Sequence, residues 1–127
     1  MAILIDTQVM IWPESEPNKL SNKTKELLAK EPKVYFSHVS IWEMVIKIKT
    51  GKLVINQSLR EFIGGFKDDY QFTPLPIALP HIYKTQELEF FHKDPFDRLI
   101  IAQAIYEDIP ILSSDNIFDK YIHNRIW

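Results

Sequence analysis

Short, uninterrupted apolar runs recur along the chain, separated by stretches in which apolar residues follow helical spacing. The runs at residues 1–5, 34–36 and 109–112 predict buried strands, because strands that are covered on both faces lack polar alternation. A fourth, brief strand is predicted within residues 72–77, where two prolines limit its length. These runs supply the strands of a predicted sheet.

Amphipathic spacing and helix-ending residues mark the helices between these strands. Asp94 is a natural N-cap, Pro95 suits the first helical position, and apolar residues continue the pattern until Pro110. After the first strand, Pro13 and Pro17 predict a turn that lasts until the first helix. The predicted helices span roughly residues 21–32, 40–51, 58–70, 80–91 and 95–110.

Strands that alternate with helices predict a parallel sheet covered on both faces, and hence an α/β fold built as a three-layer α/β/α sandwich. At 127 residues, 46% of them hydrophobic, the chain is expected to form a single domain over residues 1–127. Ligands of such sheets bind beyond the carboxyl ends of the strands. Residues that directly follow strands are therefore the first candidates for a functional site.

Composition excludes several classes of protein. The chain has no cysteine, which excludes disulfides, thiolate zinc sites and cysteine nucleophiles, and a cytoplasmic location is the expectation. No apolar stretch is long enough to span a bilayer, so no membrane association is expected. The net charge of -2 argues against binding of nucleic acid by bulk electrostatics. Any RNA binding therefore needs a local arrangement of basic residues.

Four acidic residues lie at predicted strand ends or in first helical turns: Asp6, Glu43, Asp97 and Asp115. Each also has a purely structural interpretation. Asp6 is a possible turn former, Glu43 completes a capping box with Ser40, Asp97 suits a first helical turn, and Asp115 is a possible N-cap. An α/β sheet brings all four to the same side, however, and one shared site explains them better than four separate coincidences.

Clustered carboxylates are the ligands expected for Mg²⁺ or Mn²⁺, which make a water nucleophilic and stabilise developing charge during phosphodiester hydrolysis. Without a cation, four converging carboxylates would repel one another. The four histidines, His38, His81, His92 and His123, show no metal-ligand spacing, and each is interpreted as a surface or packing residue. Arg98 is the best basic candidate to contact phosphate, ahead of Lys47, Lys49, Lys52 and Lys93.

Four segments carry a resemblance to a known family: Leu4-Ile5-Asp6-Thr7, Ser40-Ile41-Trp42-Glu43, Asp94-Pro95-Phe96-Asp97-Arg98 and Leu112-Ser113-Ser114-Asp115. Their order and spacing resemble the PIN-domain family along nearly the whole chain. The most similar members are the VapC-type toxins of type II toxin-antitoxin systems, for which the Asp-Pro-Phe-Asp-Arg segment is a specific marker. Gln8 and Ser113 are mild departures, since many relatives have histidine and threonine there, and neither removes a carboxylate.

The resemblance implies a Mg²⁺- or Mn²⁺-dependent endoribonuclease in which Asp6, Glu43, Asp97 and Asp115 are both the catalytic and the metal-binding residues, and Asp97 rather than Asp94 takes the third position. A carboxylate-bound metal would activate the water that hydrolyses RNA. Ser113 is a supporting residue whose hydroxyl can donate to a ligand carboxylate. The resemblance also implies a homodimer and a small cognate antitoxin protein that blocks the site.

Two alternatives are weighed against this hypothesis. An aspartyl phosphatase also begins with a strand and an aspartate, but it needs a second acid two residues later, where this chain has Gln8. A catalytically silent binding module with the same fold is the non-enzymatic alternative, because a fold does not determine function. The presence of all four acids favours the enzyme.

Overall fold

The computed structural model describes residues 2–127 of the chain, so Met1 of the first predicted strand lies outside the described residues. The strands are β1 (Ala2–Ile5), β2 (Lys33–Ser37), β3 (Thr73–Leu75) and β4 (Ile111–Leu112). The helices are α1 (Thr7–Ser15), α2 (Asn22–Lys30), α3 (His38–Lys49), α4 (Leu59–Asp68), α5 (Leu79–Gln86) and α6 (Pro95–Glu107). Two short 3₁₀ helices cover Pro17–Lys19 and Asn116–Lys120.

The four described strands form one parallel sheet in the order β3-β2-β1-β4. Ile3 pairs with Val34 and Ile5 with Phe36 between β1 and β2, while Ile5 also pairs with Leu112 of β4. Parallel pairing requires crossover connections, and the helices between the strands provide them. The predicted α/β fold with a central parallel sheet is confirmed.

Alternate residues of β1 supply the two hydrophobic cores that lie on opposite faces of the sheet. Ile3 and Ile5 pack with Phe36, Phe62 and Phe66 in one core. The intervening Leu4 belongs to the second core, which side chains of α6 help to form. Because both faces are covered by apolar side chains, the molecule has the three layers that the sequence predicted.

Two elements, the segment after β1 and helix α5, differ from their predictions. Residues 7–15 form helix α1, which the sequence analysis treated as a turn because of Pro13. This helix is stable because Val9 and Met10 are buried and Asp6 caps its first turn. Helix α5 ends at Gln86 rather than near Phe91, and the guanidinium of Arg98 binds carbonyl groups in the last turn of the helix and just beyond it.

Within residues 2–127, none of the helices has both the length and the apolar character that crossing a membrane requires.

Candidate functional site

The four predicted acids come together at the carboxyl edge of the sheet. Asp6 follows β1, Asp115 follows β4 by three residues, Glu43 lies on α3, and Asp97 lies in the first turn of α6. All four line one open cleft of about 610 Å³, together with Thr7, Gln8, Trp12, Glu16, Lys19, Lys47, Asp94 and Ser114. The convergence expected from the order of the elements is thus observed.

Asp6 is the most deeply buried aspartate of the cleft, with 6% of its surface exposed. Its two carboxylate oxygens accept hydrogen bonds from the Thr7 backbone N–H at 2.7 Å and from the Ser113 hydroxyl at 2.8 Å. The pKa of Asp6 is raised from 3.8 to about 6, chiefly by burial and to a smaller extent by the charges of Glu43 and Asp115, against the lowering effect of the two hydrogen bonds. Ser113 has the contact that was predicted for it.

Asp97 has the most strongly perturbed carboxyl group in the cleft. Burial raises its pKa from 3.8 to about 8, and the negative charges of Asp6, Asp94, Glu43 and Asp115 contribute in the same direction. A carboxylate whose pKa is raised by other carboxylates is a site where a divalent cation would be strongly stabilised, since the cation offsets the repulsion that the proton otherwise relieves. The arrangement therefore fits a bound cation.

Glu43 is held in place by neighbours on two helices. The Thr7 hydroxyl lies 2.8 Å from both Glu43 Oε1 and Ser40 Oγ, and because an ionised carboxylate only accepts, Thr7 donates to Glu43. Lys47 Nζ lies 2.8 Å from Glu43 Oε2. The capping-box interpretation of Glu43 with Ser40 is wrong, because α3 begins at His38 and is capped by Ser37, one turn earlier.

Asp115 and Asp94 serve as helix caps at the rim of the cleft. Asp115 accepts from the Ile117 N–H at 3.1 Å and begins the second 3₁₀ helix, so its structural interpretation holds as well. Asp94 accepts from the backbone N–H groups of Phe96 at 2.9 Å and Asp97 at 3.3 Å. Capping therefore accounts for a side-chain oxygen acceptor at position 94.

Replacing Asp94 by alanine is expected to lower the free energy of unfolding by about 1 kcal/mol, because the first turn of α6 loses its side-chain acceptor. Urea denaturation of the wild type and the variant measures this difference. Since Asn is an equally good N-cap, Asp94→Asn is the matched control and is expected to retain wild-type stability. Equal destabilisation by both variants would contradict the capping role.

Arg98 does not contact the cleft, so the prediction that it supports the site by contacting phosphate is wrong. Its buried guanidinium donates to the carbonyl oxygens of Glu89 at 2.9 Å, Thr85 at 3.0 Å and Leu88 at 3.3 Å, and it lies over the ring of Phe90. These hydrogen bonds link the C-terminal end of α5 to α6. Arg98 is therefore a structural residue of the segment that leads into the site.

Arg98→Lys is expected to lower the free energy of unfolding by about 1 kcal/mol, since a lysine ammonium cannot reproduce the planar fork that reaches three carbonyl groups. Thermal denaturation measures the loss. Metal affinity of the folded variant should remain unchanged, which isothermal titration calorimetry checks. A loss of metal affinity without a loss of stability would instead indicate that Arg98 acts in the site.

The other basic candidates differ in whether they line the cleft. Lys47 lines the cleft, whereas Lys49, Lys52 and Lys93 are exposed and are absent from its lining. Lys19, which the sequence analysis did not select, lines the cleft and pairs with Glu16 at 2.9 Å. Lys19 lies in a proline-rich stretch between α1 and α2, and the sequence did not predict α1. Its place in the cleft became visible only with the position of this helix.

His92 is the functional candidate that the sequence analysis missed. Its ring lies against Phe118, as expected for a packing residue, but its Nε2 also lies 2.7 Å from Asp97 Oδ2 and 3.9 Å from Asp115 Oδ2. His81 is buried on α5, and His38 and His123 are exposed away from the cleft lining, as expected for packing and surface residues. Because His92 lies in the connection between α5 and α6, no spacing in the sequence signals this contact.

Family and structural comparisons agree with this geometry. The model of the PIN domain matches residues 3–123. This chain belongs to the PIN domain family. Among curated proteins, no sequence matches that of this PIN domain.

Several solved structures have a similar fold. VapBC2 from Rickettsia felis, bound to a promoter DNA fragment, has a TM-score of 0.68 and 17% identity, covering 95% of this PIN domain and 93% of that chain. FitAcB from Neisseria gonorrhoeae has a TM-score of 0.65 and 16% identity, covering 91% and 89%. A toxin-antitoxin complex from Klebsiella pneumoniae has a TM-score of 0.66 and 17% identity, covering 98% and 96%. At these identities the likeness establishes the shared fold.

Proposed function

We propose that this PIN domain is a Mg²⁺- or Mn²⁺-dependent endoribonuclease and that residues 1–127 form one nuclease domain. The observation that carries the proposal is the convergence of Asp6, Glu43, Asp97 and Asp115 in one cleft, where burial and mutual repulsion raise the pKa of two of them. Such a cluster is unfavourable without a compensating cation. Hard oxygen donors are the set that Mg²⁺ and Mn²⁺ prefer.

The four carboxylates are the proposed metal-binding and catalytic residues. A divalent cation held there supplies a nucleophilic water and stabilises the charge that develops on the leaving oxygen during phosphodiester hydrolysis. Ser113 and the Thr7 N–H fix both oxygens of Asp6, which keeps this carboxylate directed into the cleft. Thr7 and Lys47 fix Glu43 in the same way.

Two lysines on the wall of the cleft are the proposed contacts for the phosphates of the RNA. The cleft is open, and Lys19 and Lys47 lie on its wall beside the acids. With a cation bound among the acids, these two ammonium groups would contact phosphate oxygens of the RNA and give a chain with a net charge of -2 a local attraction for its substrate. These lysines position the substrate, and the carboxylates carry the chemistry.

We further propose that the protein is the toxin of a toxin-antitoxin pair, that its partner is a small cognate antitoxin, and that it forms a homodimer. The proposal is supported by similar folds in the Rickettsia felis VapBC2 and Klebsiella pneumoniae toxin-antitoxin structures. An antitoxin that places a basic side chain among the acids would silence the cleft. Sedimentation velocity of the purified chain tests the homodimer.

Cleavage of end-labelled RNA of mixed sequence tests the nuclease. Partner-free protein is incubated with RNA, or with DNA of the same sequence, in Mg²⁺, in Mn²⁺ and in EDTA. Cleavage of RNA that requires metal and is lost in Asp6→Asn supports the proposal. Failure of well-folded, metal-loaded protein to cut any RNA of a diverse pool would instead favour the silent binding module.

A further inference from the structure

The imidazole of His92 lies between two of the proposed metal-binding carboxylates. Its Nε2 is 2.7 Å from Asp97 Oδ2 and 3.9 Å from Asp115 Oδ2, and one potential ligand atom from each of the three residues lies within 4.8 Å of the other two. Ligand atoms that share a cation through bonds of about 2.1 Å are separated by roughly 3 Å when adjacent and about 4 Å when opposite. The three side chains therefore have the spacing of a metal-binding face.

The contact between His92 and Asp97 is not an ordinary hydrogen bond. Although the two atoms are only 2.7 Å apart, His92 Nε2 is buried and has no partner with hydrogen-bonding geometry. The imidazole N–H therefore does not have hydrogen-bonding geometry toward the carboxylate oxygen, although the two atoms are in contact. Two ligands of one cation have this relation, whereas a histidine that merely orients a carboxylate points its N–H at it.

The segment that carries His92 is held in place by the protein. The His92 backbone N–H donates to the Tyr121 hydroxyl at 2.7 Å, and that hydroxyl donates to the Glu89 carbonyl at 2.7 Å. His92 Nδ1 accepts only a long contact of 3.4 Å from the Asp94 N–H. The imidazole proton can therefore reside on Nδ1, and only the weak interaction with the Asp94 N–H is lost. Nε2 is then free to bind a metal.

We infer that His92 is a nitrogen ligand of the divalent cation, acting with Asp97 and Asp115, and that it shifts the metal preference of the site from Mg²⁺ toward first-row transition ions. The inference rests on the proposed function, since it concerns the same metal site. Imidazole binds transition ions well and Mg²⁺ poorly, whereas carboxylates bind both. A site of carboxylates alone lacks this discrimination.

Pulsed electron paramagnetic resonance of bound Mn²⁺ tests the nitrogen ligand directly, without any reference to RNA cleavage. The wild type is expected to show a ¹⁴N coupling from a directly bound imidazole, and His92→Gln is expected to lose it. His123→Gln is the matched control, because His123 is exposed and lies outside the cleft, and it should retain the coupling. A wild-type spectrum without imidazole nitrogen would overturn the inference.

Calorimetric titration with Mg²⁺, Mn²⁺ and Co²⁺ tests the metal preference. His92→Gln is expected to weaken Co²⁺ binding at least about 10-fold and Mg²⁺ binding by less than about threefold. Equal losses for Mg²⁺ and Co²⁺ would contradict a selective nitrogen ligand. If the wild type binds none of the three ions, the proposed metal-dependent function fails as well, whereas binding of all three without a nitrogen coupling overturns only the role of His92.

Discussion

Asp6→Asn is expected to reduce RNA cleavage by more than about 100-fold while the protein stays folded. Loss of a residue that only orients a ligand typically reduces metal affinity or activity 10- to 100-fold, and loss of a central carboxylate should exceed that. The asparagine oxygen can still accept from the Thr7 N–H, and its amide can donate to the Ser113 hydroxyl. The substitution therefore removes charge while it preserves the local contacts.

Single-turnover cleavage at saturating Mn²⁺ measures the effect of Asp6→Asn, with circular dichroism and thermal denaturation to establish that the variant is folded. Asp94→Asn is the matched control, because it makes the same chemical change at a carboxylate that lines the same cleft but caps α6. It should retain activity within about threefold. Wild-type activity in Asp6→Asn would refute the assignment, and similar losses in both variants would mean that overall negative charge matters more than a specific ligand.

The fold was predictable because each strand is short, apolar and followed by a helix. In β1, Ile3 and Ile5 serve one core while Leu4 serves the other, which is the two-sided burial that an uninterrupted apolar run indicates. Helix α1 was not predictable in the same way, since Pro13 argues against a helix. Tertiary burial of Val9 and Met10 outweighs that local signal.

The carboxylates could be selected from the sequence because strand ends and helix starts share one edge of a parallel sheet. Arg98 and His92 could not be assigned correctly, because their roles depend on how the chain passes from α5 to α6. That connection turns the Arg98 side chain back toward the carbonyl groups of residues 85–89, and it brings His92 over Asp97. The spacing of residues in the sequence does not predict the path of this connection.

Burial of carboxyl groups in the cleft, together with the repulsion between them, should make the metal-free protein less stable as pH rises. The folded state keeps the proton of Asp97 up to about pH 8, whereas the unfolded chain releases it near 3.8. Between these values the folded state binds more protons than the unfolded state, so the free energy of unfolding decreases as pH increases. Asp6 acts in the same direction between 3.8 and about 6.

Asp97→Asn removes the carboxyl group with the larger of the two pKa shifts and is expected to stabilise the metal-free protein. Its gain over the wild type should grow by on the order of 2 kcal/mol between pH 5 and pH 8, because only the wild type must ionise a carboxyl group in the cleft. Urea denaturation in EDTA at both pH values measures the two gains. The comparison between variants cancels the titration of residues that they share.

Addition of Mn²⁺ at pH 8 should reverse the order of stability. The wild type gains stability because the cation binds the folded state and replaces the proton of Asp97, while Asp97→Asn has lost a charged ligand and gains much less. Asp69→Asn is the control, since Asp69 is exposed and outside the cleft, and it should behave as the wild type throughout. A gain for Asp97→Asn that is independent of pH would show that Asp97 ionises in the folded protein without a penalty from burial or from the neighbouring carboxylates, and would remove the physical reason for a cation in this cleft.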